Sequence, residues 1–269
     1  MRSSLAAILC CICILVASSA ALAPTVAVLG ATGYVGSSVV SLLESRGVSV
    51  LKLSRSSKGP NSLAIDFTKP EAPDIFQNYL ASNNLTITKY VHCVGCLFDT
   101  SVPFNSELNK LASGSSTTVS STYDEITFQT TSNLVNAISS QKLPSKVVFI
   151  SAAEVGWPSV KFGPQIESLS PSFLKRYLLA KRKAEEALKT SPYITATILR
   201  PSIIYTEDAL DSKLTVDFFN AFSRTRGVVK LPFVDEPVSV GVLAEAVAEG
   251  LENEEGGIWR KEDMIKRIK

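Results

Sequence analysis

Apolar residues fall along this chain in two alternating rhythms. Thr25 to Leu29 (TVAVL), Val48 to Leu53 (VSVLKL), Leu63 to Ile65 (LAI), Tyr90 to Val94 (YVHCV), Lys146 to Ile150 (KVVFI) and Ile194 to Leu199 (ITATIL) are short, mostly apolar runs rich in Val and Ile. Such runs suit strands covered on both faces. Between them, Ser37 to Ser45, residues 71–83, Thr122 to Ser140 and Ser172 to Lys189 place apolar residues three and four apart, the period of an amphipathic helix. Strand and helix in turn predict βαβ units with right-handed crossovers. The expected fold class is α/β, a doubly wound parallel sheet with helices on both faces. After Arg200 the alternation breaks. Residues 201–269 hold Pro201, Pro232 and Pro237 and one clear helical pattern, Val242 to Leu251 (VLAEAVAEGL). They are expected to form a small cap on the substrate side, closed by that helix and packed on the domain of residues 24–200.

The first 23 residues follow another plan, MRSSLAAILCCICILVASSAALA. One cation, Arg2, precedes an apolar stretch from Leu5 to Val16, and small residues lead to Ala23. This is the layout of a secretory signal peptide, with Ala21-Leu22-Ala23 before Pro24 as the cleavage site. Left uncleaved, the segment would be a membrane anchor, although its apolar part is short for ~30 Å of hydrocarbon. The junction also looks like that of leaders that route proteins to a plastid through the endoplasmic reticulum. Asn84-Leu85-Thr86 is a glycosylation sequon, and it matters only on such a route.

Composition narrows the partners. A length of 269 residues with 45% hydrophobic content suits one α/β domain with an appendage. A net charge of +2 provides no field for nucleic acid, and none is expected as a partner. Cys10, Cys11 and Cys13 lie in the leader. Cys93-Val94-Gly95-Cys96 ends a strand with no second ligand pair and no helix start beside it, so packing is the expected role and no metal is implied. His92 is read as a strand residue near the adenine side. Residues 101–122, rich in Ser and Thr, are expected to form a long loop over the cleft.

The chemistry starts at Gly30-Ala31-Thr32-Gly33-Tyr34-Val35-Gly36. A phosphate site needs backbone N–H groups and a helix start aimed at the anion. Gly30 permits the tight turn, Gly33 close approach of a diphosphate, and Gly36 close packing of helix on strand. The loop follows a buried strand and opens a helix, the context that gives a glycine motif its meaning. An acid at the end of the second strand would bind a ribose 2′-hydroxyl; this chain has Ser54-Arg55 instead. Arg55 can pair with a 2′-phosphate and Ser54 can donate to it, so NADP is favoured as cofactor over NAD. Asp66, after the third strand, can accept from the adenine amino group. Cys93, Val94 and Gly95 would pass the adenosine ribose. Tyr177 and Lys181, at i and i+4, share a helical face. A cation there is expected to lower the phenol pKa and orient the nicotinamide ribose, with Tyr177 moving the proton that accompanies hydride transfer.

With these motifs in order, the chain resembles the extended and atypical short-chain dehydrogenase/reductases. GATGYVG after the first strand, Ser54-Arg55 after the second, YxxxK at 177–181 and Leu199-Arg200-Pro201-Ser202 after the sixth carry the likeness across nearly the whole body. YLLAKRKAE at 177–185, Pro237-Val238-Ser239-Val240 and Cys93-Val94-Gly95 look most like the atypical branch. That branch holds the reductase-like accessory subunit of mitochondrial complex I and a related coenzyme Q biosynthesis factor. The resemblance implies a Rossmann-type fold, a nicotinamide end bordered by Pro201, Ile203 and Ile204, and a mitochondrial or plastid setting beside the secretory one. It also implies a serine after the fifth strand that polarises the substrate carbonyl. Ser151 fills that place in one alignment and Ala152 in the other, and the family asparagine falls near Thr127. Two functions follow: an NADPH-dependent oxidoreductase on a small hydrophobic carbonyl or hydroxyl compound, with Tyr177, Lys181 and Ser151 catalytic, or a non-catalytic cofactor-binding partner in a protein complex.

Overall fold

Four residues, Val26–Leu29 (β1), are buried along their whole length and form an interior strand of the sheet. In this computed structural model, which describes residues 25–96, 122–206, 235 and 237–268, β1 runs parallel between β2 (Val50–Ser54) and β4 (Lys89–His92). Val28 lies opposite Lys52 on one side and Val91 on the other. Beyond β2 is β3 (Ser62–Ala64); beyond β4 are β5 (Ser145–Ile150), β6 (Ile194–Leu199) and β9 (Gly257–Trp259). The order β3-β2-β1-β4-β5-β6-β9 reverses direction between β1 and β4, and all seven strands are parallel. In open sheets of this kind the crevice above that reversal is where ligands bind.

Alternate strand residues feed two cores. Val26, Val28, Val91, Val148 and Leu199 pack under α1 (Tyr34–Ser45) and α6 (Val240–Glu252). Ala27, Leu29, Tyr90, Phe149 and Ile198 pack under α2 (Ala72–Ser82), α3 (Thr130–Gln141) and α5 (Ser172–Thr190). Full burial of a Leu or Phe side chain in these layers contributes about 1.5–3 kcal/mol. The α/β, doubly wound, Rossmann-type class is therefore observed as expected.

Three local features differ from the expectation. The long helix before β5 opens as one π-helical stretch, Asp124–Gln129, ahead of α3. A Thr122–Glu125 capping box starts it: the Thr122 N–H donates to Glu125 Oε2 at 2.7 Å and the Glu125 N–H to Thr122 Oγ1 at 3.2 Å. After β5 the chain makes a 3₁₀ turn, Ala153–Ser159, and a short helix α4 (Gly163–Leu169) before α5. The third difference concerns residues 201–269. Their strand β9 joins the main sheet, with the Arg200 N–H donating to Trp259 O at 2.8 Å, and α6 covers one sheet face. Gly256 has φ +68, and a Cβ there would lie 2.5 Å from Ala196 O, so only glycine lets the chain enter beside β6. Helix α7 (Lys261–Arg267) follows, and β7 (Ile204–Tyr205) pairs with β8 (Val238–Ser239) as a small separate sheet. The expected leader at 1–23, residues 101–121 of the expected loop and residues 207–234 of the expected cap lie outside the described residues. Among the described residues, no helix is long and apolar enough to cross a membrane.

Candidate cofactor and active site

Gly30 leaves β1 with φ +79, its N–H bonded to Leu53 O at 2.8 Å. The Gly33 N–H donates back to Gly30 O at 2.9 Å, which closes the turn, and α1 begins with Gly33 as a cap lacking any side-chain bond. A Cβ at Gly36 would lie 2.0 Å from Gly30 O, and one at Gly30 would press on Val94 N at 3.1 Å. At Gly33 a Cβ would meet only Gly30 O, at 3.2 Å, among the described residues. The loop is thus tight on the protein side and open at the helix start, the shape needed to bring backbone amides onto a diphosphate. Ala31 is buried and Thr32 exposed, while Val35 packs on the core. The Tyr34 hydroxyl hydrogen-bonds Thr206, and burial raises its pKa. That bond ties the glycine loop to the strip Pro201, Ile203 and Ile204.

At the β2 end, Ser54 Oγ accepts the Ser56 N–H at 3.3 Å and shares a hydrogen bond with Ser57 Oγ at 2.8 Å. This turn presents Arg55 to solvent, with no acidic partner among the described residues. Asp66 Oδ1 accepts from the Thr68 N–H at 3.0 Å and hydroxyl at 2.8 Å, which fixes the carboxylate after β3. Cys93 and Val94 run directly against Gly30, with the Cys93 N–H on Leu29 O at 2.9 Å. Burial pushes the Cys93 thiol up to about 12, which keeps it protonated and unreactive at neutral pH.

His92 ends β4, a strand residue as expected. It is fully buried beside Phe149, in a ring contact of 5.1 Å, with α3 on its other side. Thr131 Oγ1 donates to Thr127 O at 2.6 Å, so it accepts from His92 Nε2 at 3.0 Å, while Nδ1 accepts the Val94 N–H at 3.2 Å. Both ring nitrogens are used by the neutral form. Burial and then the nearby Lys181 charge push its pKa down to about 3. The unfolded chain binds a proton near pH 6.5 that the folded one refuses, so stability is full above that value and falls as pH drops toward 3. Each pH unit in that window costs up to about 1.4 kcal/mol. Urea unfolding should show a steeper loss between pH 7 and 5 in the native protein than in His92→Gln; equal slopes would refute this role.

Lys181 is 4% exposed; its Nζ donates to Ile150 O at 2.8 Å and lies 4.8 Å from the Phe149 ring centre and 5.9 Å from that of Tyr177. A Cβ on Gly95 would lie 3.6 Å from it. The structure thus brings Tyr177, Lys181 and the Cys93–Gly95 strip together. Burial lowers the Lys181 pKa to about 8. The expected lowering of the Tyr177 pKa is corrected. Burial raises it, with Glu154 adding to the effect, because the phenol stands among apolar groups. Tyr123 meets it edge-on at 5.5 Å, and Ala152, Val155, Trp157 and Leu174 complete the cluster.

Ser151 is also corrected. Its hydroxyl is buried and donates to Glu185 Oε1 at 2.6 Å, so it turns toward α5 and not toward a substrate carbonyl. Ala152 follows it beside Tyr177. Sequence reasoning missed Glu154, whose carboxyl pKa is raised chiefly by burial and whose field reaches Tyr177. Its signal was a lone acid four residues past a buried strand. Also missed was the Glu185–Arg200 pair, joined at 2.9 and 2.6 Å. Thr127 is fully buried, and its hydroxyl has no hydrogen-bond partner among the described residues.

Comparison with known proteins agrees with this geometry. Residues 26–232 match the model of a family described as the NAD dependent epimerase/dehydratase family. Among curated proteins none matches the chain. Of the solved structures, UDP-N-acetylglucosamine 4-epimerase from Bacillus cereus is 18% identical, with 88% of this chain and 78% of that one covered at a TM-score of 0.54. The oxidoreductase ylbE from Lactococcus lactis is 15% identical, covering 90% and 95% at 0.58. A short-chain dehydrogenase/reductase superfamily protein from Agrobacterium tumefaciens, solved with bound NAD, is 18% identical, covering 88% and 76% at 0.56. At these identities the likeness concerns the fold.

Proposed function

Because the chain belongs to the NAD dependent epimerase/dehydratase family, we propose that it is an oxidoreductase that holds NADP(H) on the Gly30–Gly36 loop and reduces or oxidises a small hydrophobic carbonyl or hydroxyl compound. The observation that carries the reading is the meeting of two features at one crevice: a glycine-only helix start, and the buried Tyr177–Lys181 face beside Gly95. The residues present fit the dinucleotide. The loop amides would hold the diphosphate, Arg55 the 2′-phosphate, Asp66 the adenine, and Lys181 the nicotinamide ribose. When bound, the nicotinamide would supply the hydride or take it up. Tyr177, protonated at neutral pH because its pKa is raised, donates the proton to the substrate oxygen. Tyr123, Ala152, Val155, Trp157 and Leu174 exclude water around that oxygen and favour an apolar substrate.

A second reading, a cofactor-binding accessory protein of a respiratory, quinone-biosynthesis or plastid complex, draws support from the Ser151 hydroxyl. Held by Glu185, it leaves the substrate carbonyl without the family donor, a loss of about 3 kcal/mol in transition-state stabilisation. The likeness to the complex I and coenzyme Q branch belongs with this reading, as do the leader at 1–23 and an organelle setting.

Arg55 gives the test of cofactor choice. Arg55→Glu should weaken NADPH at least tenfold in a calorimetric titration, the worth of one charge-assisted pair, and leave NADH within about twofold. Equal affinity of the native protein for both nucleotides would remove the argument for NADP.

A further inference from the structure

Glu185 lies one turn beyond Lys181 on α5 and is 2% exposed. Its carboxylate does more than close an ion pair. Oε1 accepts from Ser151 Oγ at 2.6 Å and from Arg200 Nε at 2.9 Å; Oε2 accepts from Arg200 Nη2 at 2.6 Å and from Lys189 Nζ at 3.3 Å. Ser151 follows Ile150, whose carbonyl accepts from Lys181 Nζ at 2.8 Å. Two side chains from consecutive turns of one helix therefore hold two consecutive residues at the exit of β5. Arg200, the other partner, stands at the exit of β6 immediately before the strip 201–204, and Pro201 O accepts the Ala153 N–H at 2.8 Å. One buried carboxylate thus joins α5, the β5 exit and the β6 exit around the nicotinamide end of the crevice.

We infer that Glu185 is a positioning residue for Lys181. It fixes the Ile150–Ser151 segment against which the ammonium is seated, and it sets the charge that the ammonium faces. The inference rests on the cofactor reading above for its consequence in binding, but its structural part stands without the nucleotide. Its physical basis is simple. A lysine at 4% exposure loses hydration, and burial pulls its pKa down to about 8, while Cys96, Glu185 and Cys93 oppose the fall. The groups facing Lys181 are Tyr177 and Glu185 from α5, and His92, Cys93 and Cys96 from β4 and its exit. From β5 come only the Phe149 ring and the Ile150 carbonyl. The His92 ring is neutral, and burial keeps Tyr177 and Cys93 protonated at pH 7. Glu185, in contrast, is ionised, because Arg200 and Ser151 bind its charged form and hold its pKa below the usual carboxylate value against burial. Its charge works with Cys96 against the burial that lowers the ammonium's pKa.

The test uses the full chain, with selectively labelled lysine, in three forms: native, Glu185→Gln and Glu185→Gln/Arg200→Met. The double variant leaves neither partner as an orphan charge, so it keeps the test valid if the single variant folds poorly. The first readout is the NMR titration midpoint of Lys181 without nucleotide. It is expected near 8 in the native protein and lower in both variants, including the double one, in which thermal stability returns toward native. The second readout is NADPH affinity from pH 6 to 8.5. The variants should lose roughly fivefold at pH 8 and little at pH 6, as expected for a midpoint lowered by about one pH unit from about 8. If the double variant regains stability and its Lys181 midpoint matches the native one, Glu185 is only a structural ion pair and the inference is overturned. If the midpoint falls as expected while the native protein ignores NADPH, the cofactor reading fails and the positioning of Lys181 by Glu185 stands.

Discussion

Gly36→Ala is expected to weaken dinucleotide binding about hundredfold while the sheet stays folded. The single methyl group would lie 2.0 Å from Gly30 O. Backbone on both sides leaves no flexible side chain to yield, so the start of α1 must retreat by roughly 1 Å, a misplacement that costs about hundredfold in oriented sites. Overpacking adds a stability loss of about 1–3 kcal/mol. Gly33→Ala is the internal comparison. Its Cβ would meet the same oxygen at 3.2 Å, a contact that small shifts relieve, so its structural cost is smaller. The two variants separate strain in the loop from blocking of its outer face: unfolding midpoints should fall clearly more in Gly36→Ala, whereas nucleotide titration should register both. Native-like NADPH affinity in Gly36→Ala would show that the loop does not carry the diphosphate.

The second large effect is expected at Tyr177. Tyr177→Phe should lower NADPH-dependent reduction of a hydrophobic aldehyde or ketone by about 10²–10⁴, the usual worth of a positioned acid. NADPH affinity should stay within about twofold, because Lys181 is seated on Ile150 O and not on the phenol. The sign of the pH dependence follows from burial. Tyr177 has a raised pKa, so its donating form persists through neutrality, and the reductive rate should be flat on its account until strongly alkaline pH. Lys181, lowered to about 8, deprotonates first, so the loss that appears as pH rises past that value should be in cofactor affinity. Retention of full turnover by the phenylalanine variant would exclude Tyr177 as the acid. Absence of turnover in the native protein, with NADPH binding and complex assembly intact in both forms, is the result required by the accessory reading.

Much of this was legible in the linear sequence because it depends on local rules. β1 is a continuous apolar run and β5 ends in one, Val147 to Ile150, and a strand buried on both faces can hardly be written otherwise. The loop from Gly30 to Gly36 is legible because Gly30 and Gly36 answer backbone demands that no other residue meets. What escaped depends on tertiary direction. β9 is three residues long, Gly257–Trp259, too short to show a period, and only its pairing with β6 makes it a strand. Ser151 follows a strand whose face is known, yet its hydroxyl turns to Glu185, 34 positions away, and no spacing rule encodes that distance. The Tyr177 pKa was misjudged because helical proximity predicts a cation near the phenol. The burial that outweighs it comes from Tyr123 and the turn after β5. Glu154 and the Glu185–Arg200 pair escaped for the same reason: a carboxyl on an exposed face and one buried between strands are written with the same letter.

Backbone amides at the start of α1 are proposed to hold a diphosphate. Hydrogen–deuterium exchange of the full chain, with and without millimolar NADPH, examines those amides themselves. The expected result is slowed exchange concentrated at Tyr34 to Gly36, with weaker protection at Ser54–Arg55 and Cys93–Gly95, the segments that border the same crevice. Unchanged exchange at Tyr34 to Gly36 under saturating nucleotide, or protection confined to another part of the molecule, would contradict it.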